Sequence, residues 1–275
     1  GSNELVEVAP AAKGFFGLRL QPNWDFSNIA LREHLLKAGL FWADKGVDAF
    51  RCDIAWGVPH SFWREFRDVV KAKDPEIMLL DETIPNRPHF AEGEFDMHFD
   101  TGDFMSAAHS VAQGAEASSL YDSITVRKDE GFPDHTLLVN ATENHDERRA
   151  LQLAKGGARS DPEKAQRAVW AAGVCLPGVP FVYYGQERQI SNYGQERFDF
   201  DGTGEDDRVN DGDVGPGNFS RAFMNWGNEF PEEHLQFYKD VLSMYQNTEV
   251  LKPEYDLVEA WYETDDDVLV FGRKG

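Results

Sequence analysis

Three observations predict an α/β fold of parallel βαβ units for this chain. Short apolar runs alternate with longer amphipathic segments from about residue 28 to residue 250, the pattern of strands joined by crossover helices. Three of the runs end in carboxylates: Phe50-Arg51-Cys52-Asp53, Leu79-Leu80-Asp81-Glu82 and Val139 through Asp146. After Pro253 the pattern changes to two alternating runs, Leu257–Glu263 and Val268–Arg273, joined through Thr264-Asp265-Asp266-Asp267, which read as an antiparallel hairpin. The parallel strands number five, three fewer than a closed eight-stranded barrel.

In chain order, Ser27 and Asn28 are cap residues for a helix running to about Lys45, and Gly46 follows as its C′ residue. Val47–Cys52 is the first strand. A helix near Ser61–Lys73 places Phe62, Trp63, Phe66, Val69 and Val70 on one face, and Asp74-Pro75 stops it. Ile77–Leu80 reads as a buried strand and Phe95–Phe99 as a weaker one. Helical patterns then cover about Phe104–Arg127. Thr136–Val139 is a strong strand. Ser160-Asp161-Pro162-Glu163 opens a capped helix with proline at its first position, and Val179–Tyr184 is the last strand of the series. Residues 186–228 are rich in Gly and Asp and too long for a plain connection, so they read as functional. Pro231–Gln246 is a final amphipathic helix.

Composition narrows the function. Apolar residues make up 41% and charged residues 28%, a globular balance that excludes wholesale disorder. The formal net charge is −22 and the pI near 4.6. A surface this acidic repels phosphate backbones and anionic lipid, so nucleic-acid and membrane-surface binding are set aside. The charge suits a neutral or cationic ligand or a salt-rich environment, and is equally the mark of a well-solvated acidic surface. Cys52 and Cys175 are too few for a disulfide framework and read as small core residues. The chain opens Gly1-Ser2-Asn3 with no basic and apolar leader pattern, which reads as a cloning scar, and localisation stays unassigned.

The carboxylates carry the chemistry. Side chains alternate along a strand, so Arg51 and Asp53 share one face while Phe50 and Cys52 share the other. In parallel α/β sheets ligands bind at the C-terminal strand ends, where these acids fall. One acid alone is equally compatible with a helix cap or a first-turn charge; three, accompanied by Arg51 and His145, point to glycoside cleavage. There one carboxylate attacks the anomeric carbon and a second protonates the leaving oxygen. A third can stabilise the positive transition state. An arginine two residues from the nucleophile favours its ionised form.

On these residues the sequence resembles the α-amylase family, glycoside hydrolase family 13. Gly46–Asp53 is similar to the family's strand-4 motif, whose Arg-x-Asp supplies the nucleophile. Leu79-Leu80-Asp81-Glu82 is similar to its strand-5 motif, which supplies the acid/base Glu. Asn144-His145-Asp146 resembles the strand-7 motif, and Gly178–Glu187 resembles the strand-8 segment. Arg221-Ala222-Phe223-Met224-Asn225-Trp226 matches its Arg-x-x-Met-x-Trp stretch. The resemblance implies a (β/α)8 TIM-barrel type fold of which strands 4 to 8 are present. It divides the chain into a lead segment (1–27), a partial catalytic barrel (28–250) and the start of a C-terminal β-domain (251–275).

By that resemblance Asp53, Glu82 and Asp146 are catalytic, and Arg51, Asn144, His145 and Trp56 bind substrate. Trp56 has two readings, a stacking surface for a sugar or a side chain packed under its loop. The substrate implied is an α-linked oligo- or polysaccharide, cleaved or transferred with retention. The rival is a non-catalytic amylase-like barrel that binds carbohydrate or acts as a scaffold. The family's strand-3 Asp-x-x-x-Asn-His motif is absent, and a second chain or a preceding segment is expected to complete the barrel. No cofactor is implied. Calcium is not supported, because the strand-3 Asn is missing and Gly57 stands where calcium-dependent members often have His. The acidic run Asp199–Asp207 does not follow the EF-hand pattern, and His98, His109 and His135 lack metal-ligand spacing.

Overall fold

A computed structural model describes residues 23–82, 88–100, 102–132, 137–190, 220–221, 224, 226, 231–263 and 268–274 of the chain. It divides into two compact units: Gly1–Thr83 with Phe90–Asp96, and Ile84–His89 with Met97–Gly275.

In the first unit, helix α1 (Ile29–Asp44) begins at Asn28, whose side chain accepts from the Leu31 N–H. It ends before Gly46, whose φ of +85° is cheap for glycine. Strand β1 (Ala49–Cys52) starts two residues later than its apolar run suggests. A 3-10 turn at Ala55–Gly57 leads into α2 (His60–Lys73) and then β2 (Met78–Glu82). β1 and β2 pair in parallel, Ala49 against Met78 through Cys52 against Asp81. Phe62, Trp63, Phe66 and Val70 of α2 are buried in one core with Cys52, Ile77, Leu79, Phe90 and Phe95. Phe50 meets Phe66 edge-on at 5.5 Å, so the apolar face of β1 turns toward the helix as alternation requires. Each such side chain contributes about 1.5–3 kcal/mol by leaving water.

In the second unit, β3 (Met97–Phe99), β4 (Leu137–Asn140) and β5 (Val179–Pro180) pair in parallel in that order. The predicted strand at Phe95–Phe99 is shorter, Met97–Phe99; the preceding Asp96, in the first unit, donates its N–H to the Leu79 carbonyl and accepts the Leu79 N–H on its carboxylate. Val179–Tyr184 shrinks to two residues because Pro180 has no N–H for a ladder. The Phe104–Arg127 region is two helices, α3 (Phe104–Gln113) and α4 (Ser118–Asp129), parted at Gly114 with φ +126°. A short helix that the sequence pattern misses, α5 (Ala150–Gly156), follows. Then come α6 (Pro162–Cys175), capped by Asp161, and α7 (Glu232–Asn247). Strands β6 (Asp256–Glu263) and β7 (Val268–Lys274) form the expected antiparallel hairpin. Leu257, Leu269 and Phe271 pack on the core of α3, α4 and α6. Cys52 is buried, but Cys175 is only half-buried at the end of α6, where its carbonyl accepts from Arg273.

Residues 1–22, His135, Thr136, the acidic run Asp199–Asp207 and residues 264–267 lie outside the described residues. Among those described, no helix is long and apolar enough to cross a membrane.

Candidate active site

The first unit brings Arg51, Asp53 and Glu82 together. Arg51 ends the polar face of β1, and Asp53 follows that strand directly. One terminal nitrogen of the guanidinium bonds Asp53 Oδ1, and the other lies 2.8 Å from Glu82 Oε1. One cation therefore faces both carboxylates. Their surroundings differ: the Asp53 side chain is 71% exposed and that of Glu82 only 7%. Glu82 occupies the last position of β2, one residue past the Cys52–Asp81 pair, and its carboxylate reaches the βα loop after β1. There it accepts the Ile54 N–H at 2.9 Å.

Ile54 is an unlikely residue for this task by type. Its φ of 44° and ψ of 54° lie in the left-handed region, which costs a β-branched residue of order 1–3 kcal/mol. The loop over-determines it. The Gly57 N–H bonds the Ile54 carbonyl at 2.9 Å, and the buried Trp63 indole N–H bonds the Ala55 carbonyl at 2.8 Å. This conformation turns the Ile54 N–H toward Glu82. Trp56 is half-buried and packs against the core of this unit. Burial, then the nearby Asp81 charge, pushes the Cys52 thiol up to about 12, so it is an inert core group between Arg51 and Asp53.

The second unit gathers Asn144, His145 and Asp146 in the loop after β4. Asn144 is buried, and its side-chain oxygen accepts the N–H groups of Asp146 and Glu147, both at 2.8 Å. It thus shapes the turn that presents Asp146. His145 Nε2 lies 3.2 Å from Asp146 Oδ2, and Arg221 Nη2 donates to Asp146 Oδ1 at 2.6 Å. Beneath this loop Glu143 is fully buried, and desolvation pushes its carboxyl up to about 7 although the Arg149 charge opposes the shift. Arg149 is also fully buried. It donates to the Ser220 and Tyr184 carbonyls at 2.8 Å each and lies 4.1 Å from the Tyr183 ring centroid.

The roles of Ile54, Glu143 and Arg149, and the contact of Arg221 to Asp146, do not follow from the sequence pattern. Only Arg221 carried a signal, its place in the Arg-x-x-Met-x-Trp stretch. Among the described residues no group of three or more His, Cys, Asp or Glu could hold a metal ion. His98 is buried, and His109 is bonded to the Thr142 carbonyl.

The family described as "Alpha amylase, catalytic domain" matches residues 15–263. The α-amylase MalA of Haloarcula japonica is 37% identical over 245 residues, covering 89% of this chain and 31% of that protein. A cyclomaltodextrinase from Bacillus sp is 31% identical over 193 residues, covering 67% of this chain and 33% of that protein. The chain therefore spans about a third of the length of these relatives. Among solved structures, an Anoxybacillus α-amylase superposes with a TM-score of 0.75 at 22% identity, over 94% of this chain and 52% of that one. A cyclomaltodextrinase superposes with a TM-score of 0.74 at 25% identity, over 93% and 40%. The fold is of the α-amylase-like TIM-barrel type.

Proposed function

The chain belongs to the α-amylase family, and on that premise we propose that it carries the acid/base and nucleophile residues of a retaining, α-glucan-active glycoside hydrolase or transglycosylase. The observation that carries this reading is the single Arg51 guanidinium held between Asp53 and Glu82. Asp53, the exposed carboxylate, attacks the anomeric carbon. Glu82 gives its proton to the departing glycosidic oxygen, and a β-glycosyl ester forms on Asp53. Esterification removes the Asp53 charge. Arg51 then faces one carboxylate, Glu82, which is now the base that takes a proton from water or from an acceptor sugar. That oxygen attacks the anomeric carbon and frees Asp53. Asp146 and His145 hold the sugar ring and offset its developing positive charge. Trp56, on the turn that follows Asp53, contributes a face for the sugar.

A neutral polyhydroxyl substrate also fits the chain's net charge of −22, which would repel an anionic one. The reading includes strands 4 to 8 of the barrel on this chain, with a second chain or a preceding segment completing it. An intact mass above 31.1 kDa, or a stoichiometric partner, supports that part.

The deciding experiment follows product anomers by NMR while the purified protein acts on soluble starch, maltose, trehalose and sucrose. Products first released as α-anomers support retention. First release of the β-anomer would exclude the covalent route. A retaining pair should also hold its carboxyls about 5–5.5 Å apart, measurable in a crystal structure with bound maltooligosaccharide.

A further inference from the structure

Asp146 is gripped from both sides. His145 Nε2 approaches Oδ2 at 3.2 Å and Arg221 Nη2 approaches Oδ1 at 2.6 Å. The same guanidinium donates through Nε to the His145 carbonyl at 3.0 Å, where the Ser220 hydroxyl also donates at 2.8 Å. One planar fork thus fixes two successive residues of the loop. The fork is itself seated: the buried Arg149 donates to the Ser220 carbonyl and is anchored by the Tyr184 carbonyl and the Tyr183 ring.

Stability is a poor reason for this arrangement. Arg221 and Asp146 side chains are each 48% exposed, and ion pairs so exposed contribute little to folding. The fork's effect is on geometry, since two parallel N–H donors of fixed spacing dictate where the carboxylate and the carbonyl lie. Deepening the function proposed above, and resting on it for the role of Asp146, we infer that Arg221 is a positioning residue for α-glucan binding. It holds the Asp146 carboxylate and the His145 backbone in the one arrangement that receives a sugar ring. Among the described residues, Arg221, His145 and the neighbouring Glu147 are charged groups that face Asp146.

The test uses Arg221→Gln and Arg221→Lys, each in the wild-type protein and in an Asp53→Asn background. Maltotriose affinity is measured by calorimetry in the Asp53→Asn background, and kcat/KM on maltooligosaccharides in the wild type. Arg221→Gln should weaken maltotriose binding by about fivefold or more and lower kcat/KM by about tenfold or more. Tm should stay within about 1–2 °C. Arg221→Lys should recover only part of the loss, since an ammonium cannot hold both acceptors.

Binding and kcat/KM within about twofold of the parent in Arg221→Gln would overturn the proposal. So would full recovery in Arg221→Lys, which would leave a charge effect without the fork, or a Tm loss that parallels the activity loss. Activity persisting in Asp53→Asn would defeat the catalytic reading instead, and the maltotriose comparison would still decide Arg221.

Discussion

Two arginine–carboxylate pairs in this chain are built in opposite ways. Arg51 and Asp53 are two residues apart, at the end of β1, and meet because alternate side chains of a strand share a face. Arg221 and Asp146 are separated by 75 residues and meet where buried Arg149 and the Ser220 hydroxyl tie the Ser220 segment to the loop after β4. The first pair is a local property of four or five residues. The second is a property of the folded second unit. Function that depends on the first should survive perturbation of distant packing, and function that depends on the second should not.

The largest difference is expected at the carboxylates themselves. Asp53→Asn keeps the shape of the side chain and the β1 ladder but removes the nucleophile, so turnover should fall by about 10³ or more with Tm nearly unchanged. Asp146→Asn should fall less, by about 10²–10³, because it supports charge rather than forming a bond. Steady-state kinetics on a maltooligosaccharide separates the two. Asp53→Asn with more than a tenth of wild-type activity would remove it from the nucleophile's place. At Arg51, lysine retains the charge but cannot span Asp53 and Glu82 together, and kcat should drop by about 10². If Arg51→Lys is as active as wild type, the shared guanidinium is not what organises the pair.

How far the sequence reveals this architecture follows from the range of each interaction. The period of the apolar runs locates the five parallel strands and most helices because one face of each is buried locally. Strand ends are less visible: β5 stops at Pro180, and β3 starts only after Asp96, whose carboxylate accepts the Leu79 N–H. The seven-residue α5 is too short to show a period. Arg51, Asp53 and Glu82 are legible from alternation and their place at strand ends. The left-handed Ile54 is not, since a β-branched residue argues against that conformation and only tertiary bonds impose it. Nor does sequence tell that Glu143 is buried next to Arg149, or that Asn144 spends its side-chain oxygen on a turn.

Glu143 offers a test of the long-range network through pH. Burial raises its carboxyl from an ordinary 4.5 to about 7 in the folded protein. Between those values the folded state keeps a proton that the unfolded state releases. The resulting stability is fully present below about 4.5 and is lost as pH rises through about 7. Glu143→Gln is neutral throughout, so its stability should be flatter across that window. The difference from wild type should be of order 1–3 kcal/mol, limited by the Arg149 charge 3.9 Å away that favours the ionised form. Urea unfolding at pH 5 and pH 8 measures it. Identical pH dependence in the two proteins would mean that this carboxyl is not the one titrating.

The smallest expected effect lies at a local device inside the second unit. Asp161 caps α6: its side chain accepts the Lys164 N–H at 3.0 Å, with Pro162 at the first helical position. The carboxylate also lies 2.7 Å from Lys164 Nζ, an exposed pair that adds little. Asp161→Ala leaves one N–H of the first turn without its cap and removes a charge favoured by the helix dipole, at a cost of about 1 kcal/mol. For a chain of this size that is a fall of roughly 2–4 °C in Tm, which a thermal melt resolves. Asp161→Asn should recover most of it, because asparagine caps as well as aspartate. Activity should stay at the wild-type level in both variants, since neither touches the Arg149 network that seats Arg221. A loss of turnover in Asp161→Ala larger than its loss of stability would show that α6 transmits to the Asp146 loop, through Gln166, which lies 3.5 Å from the Glu143 carboxylate. The local and the long-range parts of the second unit would then be one cooperative element.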